Sequence, residues 1–350
     1  MGMIYGNKTG QLGWSCPSNI AIIKYWGKRS LQLPLNPSLS MTLDKARTNT
    51  LLAYDYRSGN KHPVTQFRFE GATNPVFEDR VSTFIKSLIP HIPVLSHTDL
   101  RIESENTFPH SSGIASSASS MGALAMCLVH MELEITGEPD PAKLFEKASF
   151  IARLGSGSAS RSVYPCFSLW GSSGEWPGSS DEFAIPVKDF HNAYDGMQDS
   201  ILIVESGSKT ISSSQGHAMM ETNPFSKSRF EQARNNLHVL KKVLTDGNWT
   251  GFIELMEEEA LTLHAMMMTS RPGFLLMKPG TISILHKVRE FRNDTGLKIG
   301  FTLDAGANVH LLYAAVDADR ISSFITSELV RYCEDSRVIM DRMGKGPTKL

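Results

Sequence analysis

The stretch Asn106–Ser119, which reads NTFPHSSGIASSAS, decides the fold. It is a loop of small polar residues that leads into an apolar helical pattern formed by Met121, Leu124, Ala125 and Leu128. Small side chains let a ligand approach the backbone closely, and the first amides of a helix have no partner within it. These amides and the helix dipole favour an anion at the helix start. The stretch therefore predicts a phosphate-binding loop, and the alternative is the Ser-rich start of an ordinary buried helix.

Length and composition set the broad class of the protein. The chain has 350 residues, enough for two domains, and its 41% hydrophobic and 20% charged residues are typical of a soluble globular protein. The formal net charge of −1 disfavours nucleic acid or an acidic membrane surface as a partner. The four cysteines form no Cys-x-x-Cys pair, and the N-terminus shows no apolar signal core. We therefore expect a cytoplasmic protein without a disulfide framework.

Hydrophobic spacing predicts a mixture of helices and strands along the chain. Predicted helices cover 78–89, the stretch after the first loop, 141–152, a segment from the Ser228–Glu231 capping box to about Leu244, 249–268, and segments that start at Thr281 and at about Ile321. Predicted strands cover 48–56, 201–204, 301–303 and 309–316, of which the last two pair across a turn. The pattern indicates an α+β protein of two layered domains, with the functional cleft between them.

Charged residues stand at three other places in apolar or small-residue surroundings. Lys24 lies within the apolar strand predicted around Asn19–Ile23, and a lysine within a strand is usually an edge or snorkelling residue. The loop Gly155–Ser162 carries Arg161, whose planar guanidinium suits a carboxylate or phosphate; the alternative is a flexible turn with an exposed arginine. Asp304 lies in a turn at a strand end, where an aspartate most often caps its own backbone.

Together these segments resemble the diphosphomevalonate decarboxylases of the GHMP superfamily. The spacing Pro-x-x-x-Gly-x-x-Ser-Ser-Ala at 109–118 is similar to the ATP loop of GHMP small-molecule kinases. The stretches that carry the resemblance to the decarboxylases are NIAIIKYWGKR at 19–29, NTFP at 106–109 with GIASSA at 113–118, GSGSASRS at 155–162, SSSQG at 212–216 and TLDAGAN at 302–308. Ordinary GHMP kinases have a Gly-rich motif at the last position, so the DAGAN turn favours a decarboxylase.

The resemblance implies an α+β fold and a reaction. The expected N-terminal domain, residues 1–190, is of the ribosomal protein S5 domain 2-like type and includes the ATP loop 106–119, and residues 191–345 form a GHMP C-terminal domain. The implied reaction is the ATP- and Mg²⁺-dependent decarboxylation of (R)-5-diphosphomevalonate to isopentenyl diphosphate, with ADP, phosphate and CO₂ as the other products. This is a step of the mevalonate pathway of isoprenoid biosynthesis. The resemblance also implies a homodimer.

The resemblance also assigns expected roles to residues of this chain. Asp304 orients or deprotonates the 3-hydroxyl of the substrate, Lys24 keeps Asp304 ionised, and Arg161 orients the substrate carboxylate. The other expected substrate-binding residues are Tyr25, Lys28, Arg80, Ser156, Ser158 and Ser213. The expected ATP-binding residues are Asn106, Pro109, Ser111, Ser112, Gly113, Ala115, Ser116 and Ser117, and Ser117 is also the expected Mg²⁺ ligand.

The sequence departs from the family pattern at three places. The loop reads PHSSG at 109–113, with His110 and Ser111, whereas many members have Thr-Ala-Ala there, and Ala307 replaces the usual proline of the turn. Ser214 stands where some bacterial relatives have a substrate-binding arginine, which leaves a 5-monophosphate substrate open. The alternatives are therefore a mevalonate 5-phosphate decarboxylase, a mevalonate 3-kinase-like enzyme and, in a different class, a non-catalytic GHMP-fold binding protein.

Overall fold

The computed structural model describes residues 5–60, 62–108, 116–137, 141–207 and 213–350. Within these residues the strands form two separate sheets, each covered by helices. None of the helices in this part of the chain combines the length and the apolar character that a membrane span requires.

The first sheet contains eight strands within the described residues, in the order β12-β1-β2-β5-β3-β4, with β6 paired to β2 and β7 paired to β6. The strands are β1 (Lys8–Ile23), β2 (Ser38–Tyr56), β3 (Thr65–Phe69), β4 (Ala72–Thr73), β5 (Thr98–Asn106), β6 (Phe167–Trp170), β7 (Ala184–Val187) and β12 (Thr348–Lys349). β3 runs parallel to β5, and the other pairs are antiparallel. Because β12 pairs with β1, the end of the chain returns to the first sheet.

In the described part of the chain, three helices accompany the first sheet: α1 (Pro75–Ser87), α2 (Ser116–Thr136) and α3 (Pro141–Gly155). Helix α2 packs on β1 and β2 on one side and on α3 on the other. This sandwiched position explains its sequence, which is apolar around most of its circumference rather than along one stripe. This packing fixes the position of the first turn of α2, which lies within the stretch Asn106–Ser119.

The second sheet has the order β11-β8-β10-β9 among the described residues, and all its pairs are antiparallel. Its strands are β8 (Gln198–Leu202), β9 (Ile299–Leu303), β10 (Val309–Tyr313) and β11 (Val338–Arg342). The helices of this half are α4 (Ser213–Ala218), α5 (Ser226–Asp246), α6 (Trp249–Met268), α7 (Pro279–Thr295) and α8 (Ala318–Phe324). β9 and β10 are joined by the turn that carries Asp304, as the sequence predicts.

One hydrophobic core joins the two halves. Ile22 and Met41 of the first sheet belong to the same buried cluster as Ile201 of the second sheet and Leu237 and Phe252 of its helices. Burial of apolar surface is the main stabilising contribution in folding, so this shared core fixes the two sheets relative to each other. The carboxyl end of β1 therefore lies where the halves meet.

Most predicted elements are confirmed, and two details are wrong. The helix predicted over 249–268 matches α6, but the residue before α5 is Phe225, which offers no side-chain cap, and Ser228 lies inside the helix. The capping box fails because the helix already begins at Ser226, after a turn in which Asn223 accepts a hydrogen bond from the Phe225 amide. Likewise β1 ends at Ile23, so Lys24 follows the strand rather than lying within it.

Candidate functional site

Lys24 and Asp304 meet where the two halves of the chain join. The Lys24 Nζ lies 3.1 Å from Asp304 Oδ1, and the lysine side chain is 2% exposed while that of the aspartate is 31% exposed. Burial lowers the pKa of Lys24, and the charge of Asp304 opposes this effect. Lys24 is therefore neither an edge residue nor a snorkelling one. The carboxylate is held by a buried cation and still reaches the surface.

The turn that carries Asp304 is held by hydrogen bonds to three other segments. Thr281 donates to the Ala307 carbonyl at 2.6 Å, and Asn308 Oδ1 accepts from the amides of Val204 and Glu205 at 2.8 and 3.0 Å. His264 Nε2 lies 3.1 Å from the Asp304 carbonyl oxygen. Alanine in place of the usual proline at position 307 thus leaves the turn fixed by hydrogen bonds.

Arg161 is buried beside this pair. It lies in the 3₁₀ segment Gly157–Val163, is 2% exposed and donates to the Ser38 hydroxyl, while its Nε has no partner among the described residues. Burial lowers the pKa of Arg161 to about 10, and the charge of Asp304 acts in the opposite direction. The alternative of an exposed arginine is therefore wrong. A buried guanidinium with a free donor is suited to binding a carboxylate.

Near Arg161, the ring of Tyr25 packs against two other aromatic rings. Its ring lies 4.7 Å from that of Trp170 and 4.3 Å from that of His217, and its buried hydroxyl has no partner among the described residues. Burial raises the pKa of Tyr25, so the phenol is a hydrogen-bond donor. A Cβ at Gly157 would lie 2.8 Å from the Tyr25 hydroxyl, which explains the glycine at that position.

Three serine hydroxyls connect the start of α2 to the loop before Arg161. Ser117 Oγ lies 3.4 Å from Ser156 Oγ, which in turn lies 3.4 Å from Ser158 Oγ. Ser117 is exposed and the other two are partly exposed. The structure thus brings an expected ATP and Mg²⁺ residue next to two expected substrate residues.

Lys28 lies beyond a left-handed glycine that follows Trp26. Gly27 has φ 93° and donates its amide to His217 Nδ1 at 2.9 Å, and Lys28 Nζ donates to Gln32 at 3.0 Å. Burial, with a further contribution from the charge of Lys28, lowers the pKa of His217 to about 3. His217 is therefore a neutral acceptor that holds the backbone next to Lys28.

The remaining expected site residues are only partly described. Asn106 ends β5 and accepts from Thr48 at 2.8 Å, while its Nδ2 has no partner among the described residues. Ser116 begins α2, Ser213 begins α4, and Arg80 is exposed on α1, four residues before Phe84, which lies beside Gly155. Five expected ATP-binding residues lie outside the described residues: Pro109, Ser111, Ser112, Gly113 and Ala115.

The sequence prediction missed three buried side chains that hold the backbone of the site. Glu259 Oε2 accepts the Lys24 amide at 2.8 Å, Asn36 Nδ2 donates to the Lys24 carbonyl at 3.0 Å, and His264 contacts the Asp304 carbonyl. Glu259 had a signal, because it lies on the apolar stripe of α6 that includes Phe252 and Leu263. A carboxylate on such a stripe requires a partner. We find no comparable signal for Asn36 or His264.

Two family models cover most of the chain. The model described as the diphosphomevalonate decarboxylase-like N-terminal domain matches residues 16–184, and that of the mevalonate 5-diphosphate decarboxylase C-terminal domain matches residues 200–349. The diphosphomevalonate decarboxylase of Saccharomyces cerevisiae is 30% identical in an alignment of length 334 that covers 89% of this chain and 80% of the relative. The chain belongs to the diphosphomevalonate decarboxylase family.

Two further similarities bear on the fold and the substrate. A solved structure described as MDDEF in complex with MVAPP, AMPPCP and magnesium matches with a TM-score of 0.82 and 26% identity, over 98% of this chain and 99% of that one. The phosphomevalonate decarboxylase of Haloferax volcanii is 26% identical in an alignment of length 310 that covers 87% of this chain and 88% of the relative. The predicted family and its GHMP α+β fold are confirmed.

Proposed function

We propose that this protein catalyses the ATP-dependent decarboxylation of (R)-5-diphosphomevalonate to isopentenyl diphosphate, with ADP, phosphate and CO₂ as the other products. The observation that carries the proposal is the contact between buried Lys24 and partly exposed Asp304, with buried Arg161 beside them. Membership of the decarboxylase family supports the same reaction. The reaction belongs to the mevalonate pathway.

Asp304 acts on the tertiary 3-hydroxyl of the substrate. Its carboxylate accepts the hydroxyl proton as the oxygen attacks the γ-phosphorus of ATP, which breaks the bond to ADP. Lys24 holds the carboxylate in its ionised form and in a fixed direction, because the two side chains are 3.1 Å apart. Phosphoryl transfer then depends mainly on positioning and charge, which this arrangement supplies.

Arg161 binds the substrate carboxylate and orients the carbon–carbon bond that breaks. Loss of the 3-phosphate leaves positive character at C3, and the electron pair of the C–C bond then forms the alkene as CO₂ departs. Asp304 returns its proton to the departing phosphate, and its restored negative charge stabilises the developing cation. The free Nε of Arg161 and its burial support this role, since a desolvated guanidinium binds a carboxylate through charge-assisted hydrogen bonds.

The serine hydroxyls and the start of α2 hold the phosphates. We place the nucleotide at Asn106, Ser116 and the loop before α2, where free helix amides favour an anion. Mg²⁺, when bound with ATP, neutralises phosphate charge, and Ser117 is the hydroxyl that we assign to it. Tyr25, Lys28, Ser156 and Ser158 hold the substrate diphosphate, and Arg80 and Ser213 extend that site.

A 5-monophosphate substrate is the second candidate, because the Haloferax volcanii relative is a phosphomevalonate decarboxylase. Purified protein with ATP, Mg²⁺ and either substrate distinguishes the two, with ADP and CO₂ followed separately. We expect CO₂ release and a higher kcat/KM with the 5-diphosphate. ADP formation without CO₂ would instead indicate a 3-kinase, and neither product would indicate a binding protein.

We also propose a two-domain homodimer that works in the cytoplasm. The four cysteines are free thiols, as expected in a reducing compartment, and the family resemblance supports the dimer. The proposed domain division is 1–190 and 191–345. Sedimentation equilibrium checks the dimer, and a monomer at all concentrations would contradict it.

A further inference from the structure

The backbone at Lys24 is held by side chains rather than by a sheet. Because β1 ends at Ile23, the amide and carbonyl of Lys24 lie outside the β1–β2 pairing. The amide donates to Glu259 Oε2 at 2.8 Å, and the carbonyl accepts from Asn36 Nδ2 at 3.0 Å. The direction of the Lys24 side chain therefore depends on where Glu259 lies.

Glu259 is fixed in turn by two residues of α5. Arg229 donates to both carboxylate oxygens, and Asn236 Nδ2 donates to Oε1 at 2.8 Å. The side chains of Glu259 and Arg229 are fully buried. A bidentate contact with a guanidinium restricts the carboxylate, so Glu259 holds the Lys24 amide in a fixed position.

The same helix also holds the other member of the pair. His264 follows Glu259 on α6 by five residues, about 7.5 Å along the helix axis. Its Nε2 lies 3.1 Å from the Asp304 carbonyl oxygen. A carbonyl oxygen accepts only, so Nε2 carries the proton and donates it. Burial lowers the pKa of His264 to about 4, which keeps the ring neutral and in one role near neutral pH.

We propose that α6 is the template for the reacting pair: Glu259 and His264 are positioning residues that together set the separation of Lys24 and Asp304. This inference rests on the proposed function for its catalytic consequence. It adds that a helix from one half of the chain fixes the backbones of both partners, although Lys24 itself comes from the other half. The ion pair is thus short because Glu259, which holds the Lys24 backbone, and His264, which holds the Asp304 backbone, lie on the same rigid helix.

Loss of the contact between His264 and the Asp304 carbonyl should lower the pKa of Lys24. The groups that act on the Lys24 ammonium are Asp304 and Glu259, which raise its pKa, Arg161, which lowers it, and His264, whose own pKa responds to Lys24. If the Asp304 turn moves away, the largest raising contribution weakens. Lys24 then loses its proton at a lower pH, and the alkaline limb of the activity profile moves to lower pH.

The main test uses His264→Leu, which removes the donor, and His264→Gln, which restores an N–H group. His286→Leu is the matched control, because His286 is exposed on α7. For His264→Leu we expect kcat to fall by about tenfold or more with an almost unchanged KM for ATP. His264→Gln should recover most of the loss. Thermal unfolding checks that each variant is folded.

A second measurement does not need activity. Side-chain NMR of ¹³C,¹⁵N-lysine protein follows the titration of Lys24, with Lys24→Gln used to assign its signal. We expect the pKa of Lys24 to be lower in His264→Leu by about half a unit or more and to return in His264→Gln. This comparison decides the inference even if the wild type releases no CO₂, an outcome that would overturn the proposed function alone.

The role of Glu259 is tested by removing its charge together with that of Arg229. The double variant Arg229→Met with Glu259→Met avoids a buried unpaired charge, which a single substitution would leave. We expect lower kcat in a folded protein, whereas Glu254→Gln on the exposed face of α6 should match the wild type. Wild-type kcat in the double variant, or an unchanged Lys24 pKa in His264→Leu, would overturn the template. So would a loss of kcat that His264→Gln fails to recover.

Discussion

Lys24 and Asp304 are 280 residues apart in sequence, yet their side chains meet at 3.1 Å. Lys24 follows the last residue of β1 in the first sheet, and Asp304 follows the last residue of β9 in the second. Neither half of the chain therefore contains the pair. A substitution that disturbs the shared core between the halves should affect this contact as well as stability.

Replacing Asp304 by asparagine should abolish most of the turnover. Asp304→Asn keeps the shape of the side chain but removes the charge that accepts the proton and pairs with Lys24. We expect kcat to fall by about 10²–10⁴-fold, as is usual for a positioned base, with little change in nucleotide affinity. Steady-state kinetics and a nucleotide-binding titration measure the two effects.

The exposed Asp319 of α8 provides the matched control for this substitution. Asp319→Asn should behave as the wild type. Decarboxylation by Asp304→Asn at a rate near that of the wild type would refute the proposed role of the carboxylate.

Arg161→Lys should damage catalysis although it keeps a positive charge. Lysine lacks the planar fork that binds a carboxylate through two bonds, and it also loses the contact with Ser38. We expect kcat to fall and the substrate KM to rise, because the carboxylate must be oriented as the C–C bond breaks. The exposed Arg320→Lys is the control. Wild-type values of both parameters in Arg161→Lys would remove Arg161 from the mechanism.

The sequence predicts the secondary-structure elements and the charged residues of the site. It predicts less well the buried side chains that hold the backbone of the site in place. Helix α6 follows from its hydrophobic spacing, and Asp304 follows from a turn between two apolar strands. These signals are local. Asn36 and His264 contact backbone groups that are 12 and 40 residues away, and the pattern around each residue does not reveal such a contact.

Acid should destabilise the protein partly through His264. Burial lowers the pKa of this ring to about 4, whereas an unfolded histidine titrates near about 6.5. Between these values the unfolded state binds more protons, so the free energy of unfolding falls as the pH falls from about 6.5 toward about 4. At pH 5 the protonation of this histidine in the unfolded state lowers the free energy of unfolding by about 2 kcal/mol.

Urea unfolding at pH 7 and at pH 5 measures this contribution. The wild type should lose about 2 kcal/mol more than His264→Gln between the two pH values. His217, which is also buried and neutral, remains in both proteins and cancels in the comparison. Equal losses would show that His264 is not held in its neutral form.

We propose that the substrate preference depends on Lys28 and on the hydroxyls of Tyr25, Ser156 and Ser158. Tyr25 has a buried hydroxyl without a partner among the described residues, and Ser156 and Ser158 lie within a row of hydroxyls. Lys28 is partly exposed, and its ammonium donates to Gln32. A second phosphate on the substrate brings charge, which we expect these donors to bind through charge-assisted hydrogen bonds.

Lys28→Ala should therefore reduce the preference for the 5-diphosphate more than it reduces activity on the 5-monophosphate. The net charge of −1 makes long-range attraction of the substrate small, so the ratio of the two kcat/KM values reports the local contact. We expect the ratio to fall by about tenfold, the effect of losing one charged hydrogen bond of about 1.5 kcal/mol. Lys188→Ala, at an exposed lysine after β7, should leave the ratio unchanged. A wild type that uses the monophosphate equally well would assign the protein to the monophosphate decarboxylases, while the roles of Asp304 and Lys24 would stand.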